Sequence, residues 1–512
     1  MVLKRNPEYW REGVPKLDGI EFRTLGSAST IAKEFRSGAI DIARDLLLED
    51  LEETLRDPRF RHGIVEAPKR NTYFVLFNAR SGPVARDANV RRALSGMVRA
   101  RDLVWRTLGR FAQPASCWIP PGMLGHDPGK RTPLLSREEA VEILASSGFA
   151  PPIRLKASVH PLLRDRYGSL LTALVSVWAD LGVEVSIATP DMASYLDSWQ
   201  NNEGLDLTIG RWIADYDDPD NFTFTLFHSI SGALRRYFCS NESDEILEEA
   251  RSEGRPSVRE ALYRKFESLL SESGTLLPLF HDIDYRLAGP KVRGLELRGI
   301  APYVNYAEIG VVESGETRIE MQREAGGVLQ VPVAGVVQSM DPAFSDTVEQ
   351  GEVIPSVYES LTRDAGGARF VPWLASDIRV EASGLKYRFR LREDVRFHDG
   401  RKLSARDVRY SFERLLQSNS EGRWLYSSIK GAKALLNGEA GDLAGLKIHS
   451  ATELTMELEE PVAFFLALIG YISAAIVPEG SDPAGEGSVG TGPFRIAKFE
   501  SLLSESGTLL PL

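Results

Sequence analysis

The chemistry-bearing residues of this chain are concentrated in one short span. From Arg211 to Phe227 it reads RWIADYDDPDNFTFTLF, with Trp212, Asp215, Tyr216, the pair Asp217-Asp218, Pro219 and Asn221 close together. An acid held at a strand end beside tryptophan and tyrosine suits recognition of an ammonium group. The carboxylate supplies charge, and the rings exclude water and can add cation–π attraction. A polar turn beside a core tryptophan would have the same spacing, so the pattern alone leaves both readings open.

Other chemistry is conspicuous by its absence. The chain has no HExxH, no Walker A loop and no GxSxG elbow. Gly490-Thr-Gly492 lacks the third glycine and following helix of a dinucleotide site. Cys117 and Cys239 lie in different segments, outside any CxxC or Cys/His cluster, so no metal site is expected. His398-Asp399 beside Gly400 reads as a turn. No nucleophile with a base is visible, so no catalytic residue and no cofactor is expected. A net charge of −11 argues against a nucleic-acid partner.

The elements that must position the 211–227 span announce themselves locally. Ser136/Glu139, Ser257/Glu260 and Ser404/Asp407 have capping-box spacing and predict three helix starts. Strands are expected at Thr72–Phe77, Val183–Ile187, Leu205–Ile209, Leu329–Val333 and Tyr387–Leu391. Interleaved helices and strands indicate an α/β fold with mixed sheets. The start, MVLKRNPEYW, lacks the apolar region of a signal peptide. The uncharged stretch Pro461–Pro478 is bounded by prolines and interrupted at Gly470, and is expected to be a buried helix and strand rather than a membrane span. Val312–Thr317 is polar and reads as a linker, and 479–490 as a surface loop.

Several blocks together resemble one family. Trp212-Ile-Ala-Asp215-Tyr216-Asp-Asp-Pro219-Asp-Asn221-Phe222 is similar to the signature of family 5 extracellular solute-binding proteins, the peptide-binding components of ABC importers. Val395-Arg-Phe-His-Asp-Gly400 with Asp407-Val408 and Ser411-Phe-Glu-Arg414, the segment Gly327–Pro342, Val489–Phe494, Leu3–Trp10 and Leu276–His281 resemble further blocks of it. Their order is exchanged. In the family, the part resembling 326–500 precedes the part resembling 1–312. The resemblance therefore implies a circularly permuted or rearranged chain, in which Arg495–Phe499 and Val2–Lys4 are the halves of a cut hairpin. The peptide KFESLLSESGTLLPL occurs letter for letter at 265–279 and again at 498–512. It fits either a rearranged gene or a join between tandem copies, and its second copy is expected to find no site of its own.

The resemblance implies a two-lobed periplasmic-binding-protein type II fold that closes on a ligand by a hinge. Lobe I would hold 1–72, 281–311 and 326–500, with a family-specific subdomain near 345–480. Lobe II would hold 73–280, 312–325 would be the linker, and 501–512 the duplicated tail. Asp215 would receive a ligand's α-amino group, with Trp212 and Tyr216 lining the cleft and Ser339 and Met340 facing it from lobe I. Arg211 is a weaker candidate for a ligand carboxylate. Implied partners are a peptide or similar small solute and ABC permease subunits, with a monomeric protein outside the cytoplasmic membrane. A ligand-sensing regulatory module with the same fold is the alternative, and a hydrolase using the same acids has least in its favour.

Overall fold

A computed structural model describes residues 1–188, 191–312, 326–333, 335–345, 347–367, 369–483 and 487–499. All but the first residue of the expected linker, and the whole of the 501–512 tail, lie outside the described residues. The chain forms two compact units. One contains residues 1–67 and those from 284 onward; the other contains 68–283.

The first unit is built on a four-stranded sheet in the order Val328–Val333, Gly19–Thr24, Val2–Arg5, Phe494–Lys498. Val328–Val333 runs parallel to Gly19–Thr24, with Leu329 opposite Ile20. Val2–Arg5 runs antiparallel to both of its neighbours, with Leu3 opposite Ile496 and Arg5 opposite Phe494. The two strand runs expected to pair with each other, Val2–Lys4 and Arg495–Phe499, therefore do form a ladder. Leu3, Ile20, Phe22, Leu329, Val331 and Phe494 are buried together on its core side. Gly19 has no substitute here, because a Cβ would stand 2.5 Å from the Leu3 carbonyl oxygen.

A second antiparallel sheet in this unit runs Ala375–Val380, Lys386–Leu391, Glu453–Glu457, Leu446–Ile448. Helix Ala405–Gln417 begins as expected, with the Asp407 carboxylate accepting from the Ser404 N–H at 2.8 Å. The same helix sends Arg414 bidentately onto Asp341 at 2.7 and 2.8 Å. Asp341 in turn accepts from the Ala343 N–H at 2.9 Å and so caps the turn Pro342–Phe344. The Pro461–Pro478 stretch is a short helix, Phe465–Leu468, and a 3-10 turn, Ile472–Ala474. The expected strand is absent: the Ile476 N–H bonds singly to the Glu359 carbonyl at 2.9 Å rather than entering a ladder. Among the described residues no helix is long and apolar enough to cross a membrane.

The second unit surrounds a mixed sheet. Asn71–Phe77 pairs antiparallel with Leu276–Ala288 on one side and Leu207–Ile213 on the other. Ile153–Val159 runs parallel to Leu207–Ile213 and to Val183–Ala188. Asn71–Phe77 is buried at every position, as a strand covered on both faces must be. The Ser136/Glu139 capping box opens helix Arg137–Ser146. Helix Pro256–Glu272 starts at Pro256 without a side-chain cap, so Ser257 does not cap it. Proline's fixed φ already suits the first helical position after an extended Arg255. The strand expected at Leu205–Ile209 occupies Leu207–Ile213 instead. Asp206 is diverted to accept the N–H groups of Val84 and Ala85 at 2.7 and 2.9 Å. Cys117 and Cys239 are free thiols.

Three histidines are held neutral. Burial pushes His160, His281 and His398 down to about 4 from an ordinary 6.5. The unfolded chain binds protons that the folded chain refuses, so this contribution is fully present above about pH 6.5 and is lost as pH falls toward 4. We expect a loss on the order of 1–3 kcal/mol from His281 alone over that window in pH-resolved denaturant unfolding. His281→Gln should lower proton uptake on unfolding by about one; an identical pH slope in variant and parent would contradict a neutral His281.

Candidate functional site

Leu207–Ile213 ends in a turn that runs into the 3-10 helix Pro219–Phe222 and then the short helix Phe224–Phe227. Because the strand reaches Ile213, Trp212 stands on the strand rather than in the turn. The turn must accommodate Asp215, Asp217, Asp218 and Asp220 within one small volume. Burying carboxylates so close together is tolerable only if each finds its own partner.

Asp217 receives Arg70 Nε at 3.1 Å. Asp218 receives both Arg259 Nη1 and Nη2, at 2.9 and 2.8 Å, from the long helix Pro256–Glu272. Arg259 Nη2 also donates to the Tyr263 hydroxyl at 2.8 Å. Asp220 accepts the Tyr216 hydroxyl at 2.7 Å and lies 3.5 Å from Arg251 Nε. Burial opposes the charge of Arg259, but the Asp218 carboxylate outweighs it and holds the guanidinium above its usual range. Burial raises the Asp220 carboxyl, an effect that Arg251 only partly offsets.

Asp215 is treated differently. It is partly exposed, and its Oδ2 accepts from Asn221 Nδ2 at 3.0 Å. The Asn221 Oδ1 accepts the Asp215 N–H at 3.2 Å and the Trp212 Nε1–H at 2.9 Å. Asn221 is fully buried. One amide therefore fixes the orientation of both the acid and the indole.

Asp215 and Tyr216 lie in the turn, and Trp212, on the strand before it, joins Asp215 through Asn221. Tyr216 is only 3% exposed, and its hydroxyl is engaged by Asp220 and Thr225, so it braces the turn from within instead of presenting a ring. Arg211 lies over the Tyr73 ring, 5.9 Å from its centroid; burial opposes its charge, but the nearby Asp282 carboxylate helps hold the guanidinium above its usual range, so it already serves the unit's interior. Ser339 and Met340 belong to the other unit. The Ser339 hydroxyl accepts the Asp341 N–H at 3.1 Å. Met340 is a correction: it is fully buried in its unit's core, because the turn before Pro342 folds its side chain inward. Sequence reasoning missed the roles of Asn221 and Arg259. Asn221 stands inside the motif, but its amide geometry is a tertiary fact, and Arg259 lies some forty residues away with no local signal.

The second unit also holds a cavity of about 350 Å3 lined by Cys117, Trp118, Lys130 and Glu267, and by none of the expected site residues. Burial pushes the Cys117 thiol up to about 12, so it is no nucleophile there. Among the described residues no group of His, Cys, Asp and Glu could hold a metal ion.

Two α/β units built on mixed sheets are the architecture of the type II periplasmic-binding-protein fold. The chain is similar in fold to HbpA2 from Haemophilus parasuis, at a TM-score of 0.51 and 20% identity, covering 58% of this chain and 59% of that one. It is likewise similar to AppA from Clostridium difficile, at a TM-score of 0.53 and 15% identity, covering 61% and 64%. The chain belongs to the bacterial extracellular solute-binding proteins, family 5, whose "Middle" profile matches residues 1–233 and 369–502. It is 28% identical over 301 residues to the periplasmic murein peptide-binding protein MppA of Escherichia coli K12, covering 57% of this chain and 55% of that protein. It is 26% identical over 300 residues to the periplasmic oligopeptide-binding protein OppA of Salmonella typhimurium, covering 57% and 54%. The chain thus spans about half the length of the curated relatives it matches.

The acid turn makes a stability prediction. Arg259→Met leaves Asp218 buried and unpaired and should cost about 3–5 kcal/mol in denaturant unfolding. The double variant Arg259→Met/Asp218→Leu should recover most of that loss. A single variant as stable as the parent would contradict the account of the turn.

Proposed function

We propose that this chain is the solute-binding component of an ABC importer and that it captures peptides or similar amine-bearing solutes. The observation that carries this reading is the Asn221-oriented carboxylate of Asp215 beside Trp212, in a chain of a solute-binding family. Asp215 receives the α-ammonium, Trp212 shields that contact from water, and Asn221 holds both. Extended peptides suit such a site because main-chain hydrogen bonds give affinity without strict sequence choice. The protein works outside the cytoplasmic membrane as a monomer, delivers its ligand to permease subunits, and carries out no catalysis. The peptide-binding names of its relatives support this reading.

Calorimetry with a free-amine tripeptide and its N-acetyl counterpart tests the site. Losing a charge-assisted contact should cost about 1.5–3 kcal/mol, so Asp215→Asn should weaken the free-amine peptide roughly 10- to 100-fold. Binding of the acetylated peptide should be weak and insensitive to the substitution. Equal affinity of both proteins for the free-amine peptide would remove Asp215 from the role.

We infer also that segments 326–500 and 1–312 stand in exchanged order relative to the family. The ladder between Val2–Arg5 and Phe494–Lys498 supports this. A rearranged chain, with 326–499 joined by a short turn to 2–312, should fold with the same circular dichroism and bind the same peptides. Failure of that chain to fold, while the present order folds, would contradict the exchange.

A further inference from the structure

The first unit carries a cationic cluster that solute capture through Asp215 does not use. The hairpin formed by Thr362–Asp364 and Phe370–Pro372 places Arg363 opposite Val371 and leads straight into Trp373. The Arg363 guanidinium carbon lies 4.4 Å from the centroid of the Trp373 ring, and that of Arg11 lies 5.0 Å from the same ring. Trp373 meets Trp10 edge-on at 5.1 Å. Both indoles are fixed by the buried Glu359 carboxylate, which accepts the Trp373 Nε1–H at 2.8 Å and the Trp10 Nε1–H at 3.2 Å. The platform is therefore rigid.

The cations on it are incompletely satisfied. Arg11 Nη2 donates to Glu308 Oε1 at 2.9 Å, but its Nη1 is buried without a hydrogen-bond partner. The Arg363 guanidinium makes no hydrogen bond or ion pair with any described residue, its backbone alone being engaged in the hairpin ladder. Arg298, the next guanidinium, is committed to Asp364. Burial, with repulsion from Arg298 and Arg11, holds Arg363 below the usual arginine value, and the attraction of the Glu359 carboxylate only partly compensates. Arginine nonetheless stays charged at any working pH. A buried donor without an acceptor is costly, and native structures rarely leave one unless something fills the place. Guanidinium forks match the oxygens of a carboxylate or phosphate, and contact with the one indole ring holds both arginines on the platform.

We propose that Arg11 and Arg363, backed by Trp373, form an oxyanion site on the first unit that takes a single carboxylate or phosphate group. The anion accepts the free Nη1–H of Arg11 and the donors of Arg363, and relieves the repulsion between them. Glu308 and Asp364 are already engaged by Arg11 and Arg298, so neither supplies the missing charge.

The test is thermal unfolding of the full chain titrated with sodium phosphate or sodium acetate, against sodium chloride at constant ionic strength. The parent should show a saturable rise in Tm with at least one of the two oxyanions beyond chloride. Phosphate alone, acetate alone or both would each support the site and would identify its source. The Arg363 guanidinium is not hydrogen-bonded to any described residue, so Arg363→Gln should fold, melt no lower than the parent without added anion, and bind the oxyanion at least tenfold more weakly. Asp215→Asn should keep the parental anion response, which separates this site from the peptide site. A parent that responds no more than to chloride, or an Arg363→Gln variant that responds as the parent does, would overturn the proposal.

Discussion

The turn from Asp215 to Asp220 poses the constraint on which the second unit depends. Its carboxylates are packed too closely to be buried without separate counter-groups. Three are met by guanidiniums drawn from distant parts of the unit. Arg70 precedes the central strand, Arg251 lies in helix Asn241–Ser252, and Arg259 in helix Pro256–Glu272. The turn can therefore take its shape only once the sheet and both helices are in place. Asp215 is set apart by a different hydrogen-bond partner, the side-chain amide of a buried asparagine, and by partial exposure. Local hydrogen bonding and exposure thus set one acid apart from the cluster, and it is the one we propose meets a solute.

The sequence made much of this legible, for definite reasons. Alternation and apolar runs located Asn71–Phe77, Val183–Ala188 and Val328–Val333, because sheet burial acts directly on side-chain type. Capping chemistry located two helix starts for the same reason. It failed at Ser257, where the preceding proline takes over the first helical position. The strand beneath the motif begins at Leu207 rather than Leu205 and runs on to Ile213 rather than Ile209, since Asp206 is drawn into capping another segment. Met340 shows the limit most clearly. A residue after a strand and before an Asp-Pro turn can point either way, and only packing decided that it goes into the core.

In the first unit, strand pairing takes precedence over chain order. Val2–Arg5 sits between Gly19–Thr24 and Phe494–Lys498, strands drawn from opposite ends of the described chain. A ladder needs complementary edges and a shared apolar face, and Leu3 with Phe494 and Ile20 supplies that face. Covalent closure of such a hairpin adds only a loop-entropy term of about a few kcal/mol. The Arg414–Asp341 fork similarly joins segments far apart in sequence, so the unit's integrity rests on side-chain and ladder contacts more than on connectivity.

The central claim is that Asp215, held by Asn221, is the group that meets the ligand's ammonium. A crystal structure of the full chain grown with a free-amine tripeptide tests it most directly. The account predicts the α-nitrogen within about 3 Å of an Asp215 carboxylate oxygen, with the Asn221 and Trp212 contacts unchanged. A tripeptide bound with its α-nitrogen on another acid, and Asp215 untouched, would contradict it.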